Sequence, residues 1–171
     1  MKNVRKLTTL AVLAAILFVV QIALSFLPNI ELVSLLIIIY AHSLKKWDAF
    51  IVIAVFTLLE TTVWGVHDWV LGYLWIWPVL VFLSILFHPI LKERSELWAL
   101  FAMGWALLFG FLFGVHNAVL YGVKAGIAYY LRGISTDIIH AAGNYILTLL
   151  LYKPVKERFT KLYEKQEKLW K

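Results

Sequence analysis

Cysteine is absent from this 171-residue chain, which excludes disulfides and thiolate metal sites. No G-x-x-x-x-G-K-[ST] phosphate loop occurs, so the chain carries no signature of P-loop nucleotide hydrolysis. The five histidines, His42, His67, His88, His116 and His140, are never four residues apart. A zinc-binding helix uses that spacing to present two imidazoles on one face. No convincing repeat relates the two halves, as a stand-alone secondary transporter would be expected to show.

Apolar side chains are abundant. They make up 63% of the residues, against about 45–50% in soluble domains, and this excess points to a membrane protein. The run Thr8–Leu27 follows a basic N-terminus, Met1–Lys6. It is longer than a signal core, and Pro28-Asn29-Ile30-Glu31 is a poor small-residue cleavage site. It reads as a retained first span. Leu32–Ala41 is a second, short run, too short on its own to cross about 30 Å of hydrocarbon. Ala49–Val63, with Asp48 as a candidate N-cap, Trp69–Phe87, with Pro78 inside and a kink expected there, Leu97–Val115 and Ile134–Tyr152 complete six runs. Residues 153–171 form a charged tail. Ala118–Leu131 lies between the fifth and sixth runs and could be a seventh span, a re-entrant piece or a lid.

Charge placement selects among these topologies. With six spans and a cytoplasmic N-terminus, 14 of the 16 basic residues fall on the cytoplasmic side, and only Lys124 and Arg132 fall outside. This is the positive-inside pattern. It also accounts for the net charge of +6 without a nucleic-acid partner. The expectation is a single-domain, all-α integral membrane protein over residues 1–171. It has six transmembrane helices in the cell membrane, with N- and C-termini cytoplasmic and 153–171 as a cytoplasmic tail.

Polar residues inside apolar runs carry the functional signal. Asp137, His140 and Asn144 share one helical face by their spacing. Burying that face in lipid is costly, so it should look into protein or a water-filled cavity. Under the six-span topology the outer end also gathers Trp64, Trp69, Tyr73, Lys124, Tyr129 and Tyr130. Aromatic walls with a few placed polar groups are how small-molecule pockets are built. Each has a plainer alternative. Trp69, Trp75 and Trp77 could be interfacial anchors, and Glu31 and Asp68 could be solvated loop residues. Lys124 and Arg132 could pair with Asp137, and the polar stripe could be an interhelical hydrogen-bond network. Haem would need facing histidines at similar depth, a condition that His116 and His140 meet only loosely.

Ala11 and Ala15, four apart in the first run, form a small-xxx-small face that permits close helix approach in lipid. Three segments are also distinctive: Leu27-Pro28-Asn29-Ile30-Glu31-Leu32-Val33-Ser34, Lys124-Ala125-Gly126-Ile127-Ala128-Tyr129-Tyr130, and Gly133–His140 followed by Gly143-Asn144. With these features and its six runs, the chain resembles, over nearly its whole length, the substrate-binding S components of energy-coupling factor (ECF) transporters. The resemblance implies a high-affinity subunit that binds a vitamin or related micronutrient near the outer surface. It would dock through Ala11 and Ala15 onto a membrane coupling subunit that sits on two ATPases. It would need no cofactor and hydrolyse nothing itself. The chain begins Met1-Lys2-Asn3, without the Met-His segment of the nickel and cobalt branch, so a metal cargo is not implied.

The expected pocket lies between the outer halves of the fourth, fifth and sixth spans. Trp64, Trp69 and Tyr73 would stack on a flat ring, and Asp137, His140 and Asn144 would orient it. Lys124, Tyr129 and Tyr130 would complete the wall or lid, with Gly122 and Gly126 as hinges or packing positions. A small structural or assembly protein of the membrane is the main alternative.

Overall fold

The computed structural model describes residues 2–45 and 47–168. Met1, Lys46 and residues 169–171, which belong to the basic N-terminus, the second turn and the charged tail, lie outside the described residues. The described chain is all-helical, with no strand. Six helices follow one another: α1 (Lys2–Leu24), α2 (Val33–Ser43), α3 (Asp48–Trp64), α4 (Asp68–Leu91), α5 (Ser95–Tyr121) and α6 (Val123–Lys168).

Four of them, α1, α4, α5 and α6, are long and apolar enough to cross a membrane. Their outward surfaces carry large apolar side chains, among them Val12, Phe82, Leu107, Phe111, Ile146 and Leu150, all exposed. A water-soluble fold rarely exposes apolar surface on this scale; hydrocarbon covers it without cost. The 11 residues of α2 span only about 16 Å at 1.5 Å per residue. This helix is instead the centre of the core. Val33, Leu35, Ile37, Ile38 and Ile39 are all buried, and α2 packs against α1, α3, α4 and α6. Its nearly uniform apolarity follows from being surrounded.

Ala118–Leu131 is not a separate element. Its first residues finish α5 and its last residues start α6, with Gly122 alone between the helices at φ +90°. A side chain is strained in that conformation, and glycine is not. The two helices then run together with their backbones close. A Cβ on Gly126 would fall 2.5 Å from both the Ala118 Cβ and the Gly114 carbonyl oxygen. Gly126 is therefore a packing position rather than a hinge. The expected sixth span and tail are likewise one continuous helix of 46 residues, about 69 Å long, roughly twice a hydrocarbon core. Pro78 lies within the continuous α4.

The two ends of the bundle differ. At the basic end, Lys6 pairs with the buried Asp48 at 2.6 Å. Asp48 is the first residue of α3 and makes no capping hydrogen bond; Trp47 holds the N-cap position. Lys156 on α6 pairs with Glu93 of the α4–α5 turn, also at 2.6 Å. His42 is enclosed there by His88, Trp98 and Tyr152. Its Nε2 donates to the Ser84 carbonyl at 3.3 Å and its Nδ1 accepts from the Tyr152 hydroxyl at 3.3 Å. Four helices are thereby pinned at one imidazole. The opposite end is open and holds the cavity described below.

Gly126→Ala is expected to destabilise the α5–α6 hairpin by about 1–3 kcal/mol, because the added methyl has no space against backbone. A lowered midpoint of thermal unfolding in detergent checks this; an unchanged midpoint contradicts the close packing.

Candidate functional site

The connection between α1 and α2 builds the site. Three consecutive residues dock it onto α6. Asn29, in the left-handed region at φ 55°, donates from Nδ2 to the Thr136 carbonyl at 3.0 Å. Ile30 packs over Gly143, where a Cβ would sit 2.6 Å from the Ile30 Cδ1. Glu31 turns its carboxylate inward. Its Oε1 accepts from His140 Nε2 at 3.2 Å and from Asn144 Nδ2 at 2.8 Å, and its Oε2 accepts from the Ser34 backbone N–H at 2.8 Å. The last bond also satisfies an N–H in the first turn of α2, in the manner of an N-terminal carboxylate.

Glu31 is largely buried, with a side-chain exposure of 13%. Burial pushes its carboxyl up, but the hydrogen bond and charge of His140, with the bonds at Ser34, outweigh burial and hold it below the ordinary value of 4.5. The sign follows by linkage. A carboxyl depressed on folding contributes its full stabilisation above its unfolded value and loses it as pH falls through the folded one.

Above this knot lies a cavity of about 1000 Å³. Its walls come from the α1–α2 connection and from α3, α4, α5 and α6. One side is aromatic, and its rings interlock. Trp69 meets Tyr73 with centroids 5.1 Å apart, Tyr73 meets Trp77 at 5.5 Å, Trp77 meets Phe109 at 5.0 Å, and Phe109 meets Phe113 at 5.1 Å. Phe109 also stands edge-on to His140 at 5.7 Å. The polar side holds Glu31, Asp137, His140, Asn117, Thr136 and, at the exposed rim, Arg132. A smaller space of about 390 Å³ shares Gln21, Trp64, Trp69 and Tyr73 with the first, and Glu60 and His67 complete its lining.

Asp137 is buried against the α5 backbone. A Cβ on Gly110 would collide with its carboxyl group, so a side chain there would have to displace the Asp137 carboxyl. The Asp137 Oδ2 has no hydrogen-bond partner, and neither has the Glu60 Oε1. Among the described residues no ion pair joins Asp137 to Lys124 or Arg132. His116 is held at both ring nitrogens, accepting from Trp75 Nε1 at 3.4 Å and donating to the Asp68 carbonyl at 3.1 Å.

Of the residues singled out in the sequence, Asp137, His140, Tyr129, Tyr130, Trp64, Trp69 and Tyr73 line the cavity. Asn144 and Lys124 do not. Asn144 is buried beneath the cavity floor, holding Glu31 and the His140 carbonyl. Lys124 is exposed in the first turn of α6. Trp77 is buried in the wall rather than set in an interface. The residue that sequence reasoning undervalued is Glu31. Its signal was present: a lone carboxylate two residues before an unbroken apolar helix, with no basic neighbour to solvate with it.

No family model matches the chain, and neither a curated protein nor a solved structure does.

Glu31→Gln removes the charge and one of the two acceptor oxygens, so His140, Asn144 and the Ser34 N–H can no longer all be answered by a carboxylate. Glu31→Gln is expected to lower stability at neutral pH by about 1–3 kcal/mol. It should also flatten the acid limb of the stability profile, which in the parent falls below pH 4.5. Thermal melts across a pH series check both; an identical acid limb in the variant contradicts the role of Glu31.

Proposed function

We propose that this protein is a substrate-binding membrane subunit of an ECF-type importer, taking up a vitamin or related micronutrient across a prokaryotic cell membrane. The observation that carries the reading is the cavity. It combines an aromatic wall, a buried carboxylate oxygen without a partner and an organised polar floor at one end of an apolar bundle. A purely structural bundle gains nothing from a large void beside an unsatisfied carboxylate, because burying such an oxygen costs about 1–3 kcal/mol. In a ligand site the carboxylate that lines the cavity is where the guest is recognised.

In this reading all six helices belong to the membrane domain. The short α2 and the 17-residue α3 complete the bundle between the longer helices. The basic end, with 14 of the 16 Lys and Arg, faces the cytoplasm, and the cavity opens outward. The buried face of α1 is formed by Leu10, Leu13, Ala14 and Leu17. Ala11 is exposed and Ala15 half-exposed on the other face, so this chain does not use the small-residue stripe for its own packing. That leaves it for a membrane coupling subunit, with the ATPase pair beyond, to approach closely.

The test is purification in mild detergent from the native host, with mass spectrometry of whatever small molecule and proteins accompany the chain. A stoichiometric small molecule is expected, lost in Asp137→Ala and in His140→Ala at unchanged expression. Ala11→Trp is expected to keep the small molecule and lose the coupling subunit and ATPases. If the parent carries no small molecule and no ATPase partner, the importer reading fails.

A further inference from the structure

Among the described residues, two of the three buried carboxylate oxygens without a partner belong to acids at the cavity end, Asp137 and Glu60; the third, on Asp48, lies at the basic end. Asp137 is 8% exposed and Glu60 1% exposed, and each leaves one oxygen without a hydrogen bond. They line neighbouring compartments that share Trp64, Trp69 and Tyr73. The third acid, Glu31, is different: His140, Asn144 and the Ser34 N–H already answer its charge. The cationic side chain that reaches this space, Arg132, stands exposed at the rim.

We infer that the guest is a flat aromatic cation, its ring against Trp69 and Tyr73 and its positive charge toward Asp137. This rests on the reading of the cavity as a ligand site and adds the chemical class. An anion would bring a like charge to a low-dielectric wall that already carries two unanswered carboxylates. A neutral ring with no donor would leave the Asp137 oxygen as unsatisfied as in the empty protein. A cation answers the carboxylate directly, and the ring faces attract the same charge through their quadrupoles. Tyr73 lines both compartments, so one ring face borders the spaces that hold Asp137 and Glu60.

The test is isothermal titration calorimetry in lipid nanodiscs at neutral pH, with empty nanodiscs as reference. Three probes share a fused two-ring aromatic skeleton and differ in charge: N-methylquinolinium, quinoline and naphthoate. N-methylquinolinium is expected to bind roughly tenfold or more tightly than quinoline, with naphthoate the weakest. Asp137→Asn, which keeps the side-chain shape, should remove most of that preference. Glu60→Gln provides a second variant should the first fail to fold. Quinoline or naphthoate binding as tightly as the cation overturns the inference while leaving the ligand site standing. So does a cation preference that survives both substitutions. Binding by none of the three also overturns it, and the importer reading is then decided separately by the copurified small molecule. A neutral or anionic copurified compound overturns the cation assignment alone.

Discussion

The grip of α6 on Glu31 is the interaction on which the rest of the site depends. One carboxylate accepts from His140, Asn144 and the Ser34 backbone. It thereby joins the end of the α1–α2 connection, the first turn of α2 and the middle of α6. Each of these groups would be expensive to bury alone. Together they satisfy the Glu31 carboxylate and leave His140 oriented, with its ring edge-on to Phe109. Asn29 on the Thr136 carbonyl and Ile30 over Gly143 extend the same contact. The result is a floor and one wall of a cavity made from a connection that would otherwise be a surface loop.

Against this satisfied knot, the unsatisfied oxygens stand out. Asp137 lies one helical turn before His140, on the same face and in the same cavity, yet its carboxyl packs on Gly110 with one oxygen unanswered. Two acids near the same imidazole in space thus differ: Glu31 is answered by His140, while Asp137 keeps one oxygen without a partner.

The basic end is arranged differently. His42 is used at both nitrogens and enclosed by rings, and Lys156 closes on Glu93. Pairing there is not complete, since Asp48 Oδ2 and the Ser84 hydroxyl have no partner. The cavity at the other end is the physical asymmetry behind the proposed ligand site.

The apolar runs, their lengths and the helical spacing of Asp137, His140 and Asn144 were legible because local composition and periodicity are properties of the chain itself. The inward turn of that stripe was legible too, since polar groups on a lipid-facing surface are costly. The division of labour along the stripe was not. Asn144 supports Glu31 from below while Asp137 faces the cavity, and only the packing of α5 and of the α1–α2 connection decides which is which. Glu31 itself is more than 100 residues from its partners His140 and Asn144, and no local pattern encodes such a pairing. Lys124 shared the right neighbourhood in sequence but stands outside the cavity, because in the first turn of α6 it is Ala125 that lines the cavity while Lys124 is exposed. The sequence by itself thus determined a helical, apolar bundle with an inward polar stripe. Tertiary structure alone decided which of its acids is answered from within and which keeps an unpartnered oxygen, because that depends on contacts between segments far apart in the chain.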